Sequence, residues 1–301
     1  MRGVSIVIPT YNRAEYLRGT LASISGLNVP QGLDVEILVI DNNCTDDTAN
    51  VTSSAARSLQ FPVRHVVETR QGLCFGRNRG IAEARHEHLA YLDDEIRVSP
   101  AWLIGYLEAI DGHGADAVVG PVYPLLPAEH PDYLKGQVLD SISSPYSRRG
   151  DQVLILPADT AHELPGCNFG VRKVVAVEIG RFDTTLDRVG DGLIAGGDFE
   201  FGRRLVQAGK RTVYHPACSI EHIMIPTKLT KGYLRRRAYA TGITRRRVSG
   251  RRTQAWSVVR GLLGAGRIIT RALGHRLRQD RQRAFELELH ALESAGYFFG
   301  R

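Results

Sequence analysis

The chain of 301 residues is 43% hydrophobic and 24% charged with a net charge of +7, values typical of a globular protein with one large domain or two small ones. No apolar run reaches the about 20 residues that span a bilayer, and the first strand pattern begins at Val4, so we expect neither a transmembrane helix nor a signal peptide. The four cysteines are scattered without a CxxC spacing, which argues against structural zinc and a disulfide framework and favours a reducing cytoplasm.

Short apolar runs alternate with helical patterns through the first hundred residues. The runs are β-rich and bounded by turn residues, as in buried strands: VSIVIPTYN, VEILVIDNN, FPVRHVVE and HLAYLDDE. The helical patterns between them are RAEYLRGTLASISGL, CTDDTANVTSSAAR and GLCFGRNRGIAEAR. This alternation predicts an α/β fold with a mostly parallel sheet covered by helices on both faces.

The second half of the chain is less regular. DAVVGPVYP predicts another strand, and residues 125–165 predict a long excursion of the kind that carries substrate contacts, because they are rich in Pro, Ser and Gly. GCNFGVRKVVAVEIGRFD returns to the sheet. GGDFEFGRRLVQAG predicts a helix with acids in its first turn and an end at Gly209, and KRTVYHPACSIEH predicts a last strand.

Polar residues follow three of the predicted strands. Thr10 and Tyr11 end the first, Asp41 ends the second, and the acids at 93–95 end the fourth. Three consecutive acids repel one another, so they form either a solvated loop or a hard-cation site with oxygen ligands. Ligands of open α/β sheets bind beyond the carboxyl ends of the strands. The convergence of polar residues there favours the site.

Five segments in this order resemble inverting, nucleotide-sugar-dependent glycosyltransferases of family two, which have the GT-A fold. They are VSIVIPTYNR, VEILVIDNNCTDDT, GLCFGRNRGIAEARHEHLAYLDDE, PGCNFGVRK with GRFD, and GGDFEFGRRLVQAG. The resemblance runs from Val4 to about Gly242. It implies a GT-A catalytic domain at residues 1–225, a basic helical extension at 226–301, and transfer of a sugar from a nucleoside-diphosphate sugar to an acceptor hydroxyl.

The resemblance implies a metal site at the DxD motif. Asp93 and Glu95 are its outer acids, and Glu95, where the family usually has Asp, is the expected direct ligand of Mg²⁺ or Mn²⁺. Asp94 is expected to contact the ribose or the sugar. His222 falls where related enzymes carry a histidine that completes the metal or diphosphate site, and the alternative is a core or surface histidine.

The resemblance also assigns the donor site. Thr10 and Tyr11 line the base pocket, and Tyr11 stacks on the base unless it only packs at the strand end. Asp41 accepts a hydrogen bond from a uracil or thymine imide, which favours a UDP-sugar, unless it only forms a turn. Arg77 and Asn78 lie at a turn-to-helix junction that suits an anion, although a solvated Arg77 remains an alternative.

Inversion requires a base that takes the acceptor proton. Asp198 of GGDFEF falls on the Asp of the family's "ED" pair, whereas Gly197 replaces its Glu, a departure that affects the acceptor site. Glu200 is the second candidate. For both acids the alternative role is stabilisation of the helix N-terminus.

Two other functions share some of these sequence features. A sugar-phosphate nucleotidyltransferase also needs metal-binding acids, but it should carry a Gly-rich basic loop after the first strand, and PTYNRAEY is followed by no glycine before Gly19. A nucleic-acid-binding module is suggested by the basic C-terminal segment. Few aromatic residues there, and an acidic body that would repel phosphates, argue against nucleic acid.

The C-terminal segment is strongly basic. Residues 228–283 contain 17 Lys and Arg and one acid, a net charge of +16, so the rest of the chain carries −9 of the total of +7. Between Trp256 and Leu277 apolar residues recur at helical spacing with arginines between them, which predicts an element at an anionic membrane surface. The alternatives are that this stripe packs on the acidic body or forms a homodimer.

Overall fold

The computed structural model describes residues 3–142, 149–161, 163–187, 192–194, 196–249 and 280–300, together with 268, 270–273 and 275. These form two compact units. The first contains the described residues within 1–125, 143–190 and 197–223, and the second those within 126–142, 191–196 and 224–301. Two internal segments thus group with the C-terminal residues. The predicted domain boundary after residue 225 stays a prediction.

The first unit is built on a large sheet with helices on both sides. Its strands are β1 (Gly3–Thr10), β2 (Asp34–Asp41), β3 (Val63–Val67), β4 (His88–Leu92), β5 (Ile96–Val98), β6 (Ala117–Val119), β7 (Val122–Leu125), β8 (Leu154–Ile155), β9 (Asn168–Arg172), β10 (Thr212–Tyr214) and β11 (Ile220–Ile223). The order in the eight-stranded sheet is β3-β2-β1-β4-β9-β6-β10-β8. The pairs β1–β2, β1–β4, β2–β3 and β6–β10 are parallel. Strand β9 is antiparallel to both of its neighbours, β4 and β6, and β8 is antiparallel to β10. The predicted α/β class and mostly parallel sheet are confirmed.

Helices cover both faces of this sheet, as predicted. Those of the first unit are α1 (Ala14–Ile24), α2 (Thr48–Ser58), α3 (Leu73–Glu83), α4 (Trp102–His113), α6 (Lys173–Glu178) and α7 (Gly197–Gln207). Successive side chains of a strand point to opposite faces, so β1 feeds two cores. Ile6 and Ile8 join a core with residues of α1, α2 and α4, whereas Val7 joins one with residues of α3, α6 and α7.

Two segments predicted as single strands each form two strands. DAVVGPVYP gives β6 and β7, and KRTVYHPACSIEH gives β10 and β11. Both breaks fall at a proline, Pro121 and Pro216, which cannot donate to a strand ladder. Beyond the breaks, β7 and β11 join β5 in a separate three-stranded sheet of order β5-β11-β7. In that sheet His222 pairs with Ile96, which places the histidine next to the acids that follow β4.

The second unit is helical. It contains α5 (Gly136–Ile142), α8 (Lys231–Ser249) and α9 (Arg281–Phe299). Its apolar core consists of Leu134, Val138, Met224, Leu229, Leu234, Phe285 and Leu289. Helices α8 and α9 pack closely, because Gly242 and Gly296 each face the backbone of the other helix where a Cβ would collide.

No helix among the described residues combines the length and the apolar character that crossing a bilayer requires. The amphipathic pattern at 256–277 lies outside the described residues, except for 268, 270–273 and 275. Its membrane, packing and dimer interpretations therefore stay predictions.

A buried acid connects the three neighbouring strands β1, β2 and β3 of the large sheet. Glu36 of β2 is 2% exposed and accepts hydrogen bonds from Ser5 Oγ at 2.8 Å and the Arg85 amide at 2.7 Å, and Arg64 Nη1 lies 3.1 Å from it. Burial by itself raises the pKa of Glu36, but these hydrogen bonds lower it below its ordinary value of 4.5. The ionised acid therefore contributes stability at neutral pH.

Glu36→Ala should lower the free energy of unfolding by about 3 kcal/mol, because three donors lose their acceptor. Since the folded-state pKa is depressed, the loss should be full above pH 4.5 and should shrink as the pH falls through the folded-state value. Urea unfolding at pH 7 and pH 3.5 measures both effects. The control is Glu83→Ala, since Glu83 binds Arg64 at 3.0 Å but is 29% exposed, so it should cost about 1 kcal/mol or less. Equal losses for both variants would contradict the prediction.

Candidate active site

The three acids after β4 lie in the short loop between β4 and β5. Asp94 is buried, accepts a hydrogen bond from Thr10 Oγ1 at 2.7 Å, and lies 3.3 Å from Arg13 Nη1. The same nitrogen lies 2.8 Å from Oε2 of the buried Glu95. The repulsion between neighbouring acids is thus offset by an arginine of the loop after β1, which is a cation of the chain itself.

The charges in this loop are strongly coupled. Burial raises the pKa of Asp94 to about 6, against the opposing effects of Arg13 and Thr10. Burial also lowers the pKa of Arg13, but the charges of Asp94, Glu95 and Asp93 outweigh it and raise the pKa above its ordinary value. Arg13 therefore stays charged, and its ionic contacts with Asp94 and Glu95 hold the loop in place.

Asp93 faces a different set of neighbours. Its carboxylate, the Cys167 thiol and the His222 imidazole place one ligand atom each within 4.8 Å of one another. Glu95 adjoins this cluster, because its Oε1 lies 3.5 Å from Nε2 of His222. Burial and the charges of Asp93 and Asp198 raise the pKa of the Cys167 thiol well above its ordinary value.

The donor set fits a divalent cation. Carboxylate oxygen suits Mg²⁺ and Mn²⁺, while imidazole nitrogen suits ions softer than Mg²⁺. Asp93 and His222 are the residues best placed to hold such an ion. Glu95, the direct ligand expected from the sequence, lies beside them but has Oε2 engaged by Arg13.

The residues expected to bind the nucleobase lie at the ends of β1 and β2. Thr10 is buried against Asp94, whereas Tyr11 is 39% exposed and available for stacking. Asp41 accepts a hydrogen bond from the Cys44 amide at 2.7 Å, and its other oxygen lies 2.9 Å from Nε2 of His65. Each carboxylate oxygen can accept a second hydrogen bond, so these contacts do not use all the acceptor capacity of Asp41.

Arg77, on α3, is the buried cation of the site. It is 3% exposed, donates to the Gly166 carbonyl at 2.9 Å, and lies 5.4 Å from the ring centroid of Phe182. Burial lowers its pKa, but the charges of Asp198 and Asp93 outweigh burial and raise it. The alternative of a solvated Arg77 therefore does not describe this structure.

Asn78 lies next to Arg77 but has a different environment. Its side-chain amide donates to the Phe182 carbonyl at 2.9 Å and accepts from the Phe182 amide at 2.9 Å. Both ends of the side chain thus hold one backbone position. This geometry gives Asn78 a structural contact, and its predicted role toward an anion stays a prediction.

The two candidate bases in α7 have different neighbours. Asp198 lies beside Arg77, since a Cβ on Gly166 would collide with the Asp198 carboxylate and would lie 2.6 Å from Arg77 Nη2. Glu200 is buried and is bound by Arg204, with Nε to Oε1 at 2.8 Å and Nη2 to Oε2 at 2.7 Å. The structure therefore places Asp198 close to Arg77, whose charge also interacts with Asp93. Glu200 instead forms an ion pair within its own helix.

Three residues near the site were missed in the sequence. The sequence gives no signal for Arg13 beyond its place after β1, and the spacing of Cys167 bears only on zinc sites and disulfides. Asp187 accepts hydrogen bonds from the amides of Cys74 at 2.8 Å and Phe75 at 3.3 Å and so caps α3. Asp187 lies 113 residues from Cys74 along the chain, so no local sequence pattern at the start of α3 predicts this cap.

Comparison with known proteins gives consistent results. The model of glycosyl transferase family 2 matches residues 5–180. Succinoglycan biosynthesis protein ExoM of Rhizobium meliloti is 26% identical over 263 residues, covering 85% of this chain and 79% of the relative. Glycosyltransferase AglE of Haloferax volcanii is 28% identical over 215 residues, covering 68% of this chain and 62% of the relative, slightly less than two thirds of that protein's length.

Solved structures show the same architecture. S. aureus TarS 1-349 in complex with UDP-GlcNAc superposes with a TM-score of 0.55 at 15% identity, covering 80% of this chain and 66% of that one. GalNAc-T7 with UDP, GalNAc and Mn²⁺ gives a TM-score of 0.57 at 17% identity, covering 81% of this chain and 48% of that one. At such identities the likeness shows the fold.

Proposed function

Since the chain belongs to glycosyl transferase family 2 and has the GT-A fold, we propose that this enzyme moves a sugar from a UDP-sugar to an acceptor hydroxyl with inversion. The observation that carries the proposal is the cluster beyond β4. Asp93, Arg77 and Asp198 come from three separate elements and meet where α/β sheets bind their ligands.

The donor side rests on the ends of β1 and β2. The exposed Tyr11 ring can stack on a base, and Asp41 can accept a hydrogen bond from the uracil imide N–H. The complexes of TarS with UDP-GlcNAc and of GalNAc-T7 with UDP support a uridine nucleotide as the donor carrier.

The metal side rests on Asp93 and His222, with Glu95 adjoining. A bound Mg²⁺ or Mn²⁺ would neutralise the charge that develops on the diphosphate leaving group. Asp94 is held by Thr10 and Arg13, which fixes the loop that carries Asp93. The role proposed for Asp94 is contact with the ribose or the sugar.

Asp198 is the proposed general base. It would take the proton of the acceptor hydroxyl as the acceptor oxygen forms its bond to the anomeric carbon. The bond from that carbon to the diphosphate breaks on the opposite face, and its electron pair leaves with the diphosphate. Arg77 would hold the Asp198 carboxylate in a fixed direction.

The acceptor class is proposed from a relative, and the location from the chain's own residues. The succinoglycan biosynthesis protein suggests that the acceptor belongs to a polysaccharide or glycoconjugate. Because all four cysteines are free thiols, we place the enzyme in a reducing cytoplasm, with the basic segment as its contact with the inner face of the membrane or with a second copy.

Metal removal tests the proposal. EDTA should lower transfer and UDP-sugar hydrolysis by about 10²-fold or more, because a bound cation supplies several kcal/mol of charge stabilisation. Calorimetry with UDP, GDP and dTDP should show that UDP binds well and GDP poorly. The control is Asp47→Asn, a change of an exposed acid outside the cluster, which should retain both properties. Full activity in EDTA would refute metal dependence, and equal affinity for GDP would refute the donor assignment.

A further inference from the structure

The loop after β4 and the start of β9 lie side by side in a fixed register. β4 and β9 are antiparallel, and Leu92 pairs with Asn168. The next residues outward are Asp93 and Cys167, and the Asp93 amide donates to the Cys167 carbonyl at 3.4 Å. Opposed residues of an antiparallel pair project to the same face. The ladder therefore directs the Asp93 carboxylate and the Cys167 thiol to one side.

The position of Cys167 is rigidly held. Its neighbour Asn168 is 1% exposed, accepts from Trp102 Nε1 at 2.9 Å, and donates to the Cys218 carbonyl at 2.8 Å. These contacts anchor the first residue of β9, which directly follows Cys167 and so limits the positions that its backbone can take. A metal ligand next to a fixed backbone position loses little conformational entropy when an ion binds.

His222 reaches the same point from the second sheet. β11 pairs antiparallel with β5, and His222 lies opposite Ile96, directly after the acids. The resulting set has one oxygen, one sulfur and one nitrogen donor within 4.8 Å of one another. A set with sulfur and nitrogen suits Co²⁺ or Zn²⁺ more than Mg²⁺, which prefers oxygen ligands.

We propose that Cys167 is a ligand of the divalent cation together with Asp93 and His222, and that this set selects borderline ions and Mn²⁺ over Mg²⁺. The inference rests on the proposed function, since it names a further ligand of the same metal site. On binding, the thiol loses its proton to the solvent buffer and the sulfur binds the ion as thiolate. The affinity should rise from Mn²⁺ to Co²⁺.

Cobalt titration of the full chain, with and without UDP, tests this ligand directly. The wild type should develop a near-ultraviolet thiolate-to-cobalt charge-transfer band. Cys167→Ser should lose the band, bind Co²⁺ at least about tenfold more weakly, and shift its preference toward Mg²⁺. Cys44→Ser is the matched control, since Cys44 is also a free, half-buried thiol but lies outside the set, and it should keep the band.

The outcomes separate the inference from the proposed function. A wild type that binds Co²⁺ and UDP without a charge-transfer band, or a band that persists in Cys167→Ser, would overturn Cys167 as a ligand while UDP binding still supports the transferase. Absence of UDP binding would refute the donor assignment, whereas a band lost only in Cys167→Ser would still support the metal ligand. Circular dichroism of both variants should match the wild type, and Cys167→Ala should reproduce the lost band if serine disturbs the fold.

Discussion

Asp198→Asn should leave UDP affinity nearly unchanged and lower the rate of sugar transfer by about 10²-fold or more. Asparagine has the shape of the acid but cannot take a proton from the acceptor hydroxyl. The proposed nucleotide-binding residues Thr10, Tyr11 and Asp41 lie at the ends of β1 and β2, whereas Asp198 lies in α7, so we expect UDP to bind without this carboxylate. Calorimetry with UDP and a transfer assay on the same preparation measure the two effects.

Glu200→Gln is the matched control for this prediction. Glu200 stands one half-turn further along α7 and is bound to Arg204, so its loss removes an ion pair within the helix. We expect this variant to lose some thermal stability and to retain most of its transfer rate. If Glu200→Gln abolishes transfer and Asp198→Asn remains active, the base is Glu200. A collapse of UDP binding in Asp198→Asn would instead assign Asp198 to the donor site.

Local patterns predicted the elements that are buried on both faces. The apolar runs of β1, β2 and β4 are short and continuous, a pattern typical of buried strands. Each run ends in polar residues, and the parallel pairing brings these residues to one edge of the sheet. The same patterns were wrong where a proline divides a run. Pro121 lies between β6 and β7, and the segment continues in a different sheet. An apolar run shows that a segment is buried, but it does not show which sheet receives it.

The neighbours of the acids could not be predicted in the same way. Arg13 is 81 residues from Asp94, and its role as the counter-ion depends on how the loop after β1 folds back. Cys167 lies beside Asp93 because β9 runs antiparallel to β4. The alternation of strands and helices predicts parallel strands, so it does not predict this change of strand direction. The sequence predicts that acids gather at this edge, and the register decides which side chains face them.

Arg77→Lys should lower the transfer rate by about 10²-fold although the charge is kept. The guanidinium of Arg77 donates to the Gly166 carbonyl and lies over the Phe182 ring, and its charge acts on Asp198 and Asp93. A lysine ammonium is compact and strongly hydrated and cannot meet these demands at once. The expected loss is in kcat, with little change in the KM of the donor.

Arg79→Lys provides the control on the same helix. Arg79 is 41% exposed and pairs with Glu83 at 2.9 Å, so its replacement should leave transfer and the melting temperature nearly unchanged.

A double-mutant cycle then distinguishes a positioning role from a merely structural one. If Arg77 acts by orienting Asp198, its replacement in the Asp198→Asn background should cost far less than about 10²-fold, because the base that it positions is already lost. Independent, multiplying effects would show that Arg77 supports the fold or the donor rather than the base. A fully active Arg77→Lys enzyme would show that charge alone is sufficient at this position.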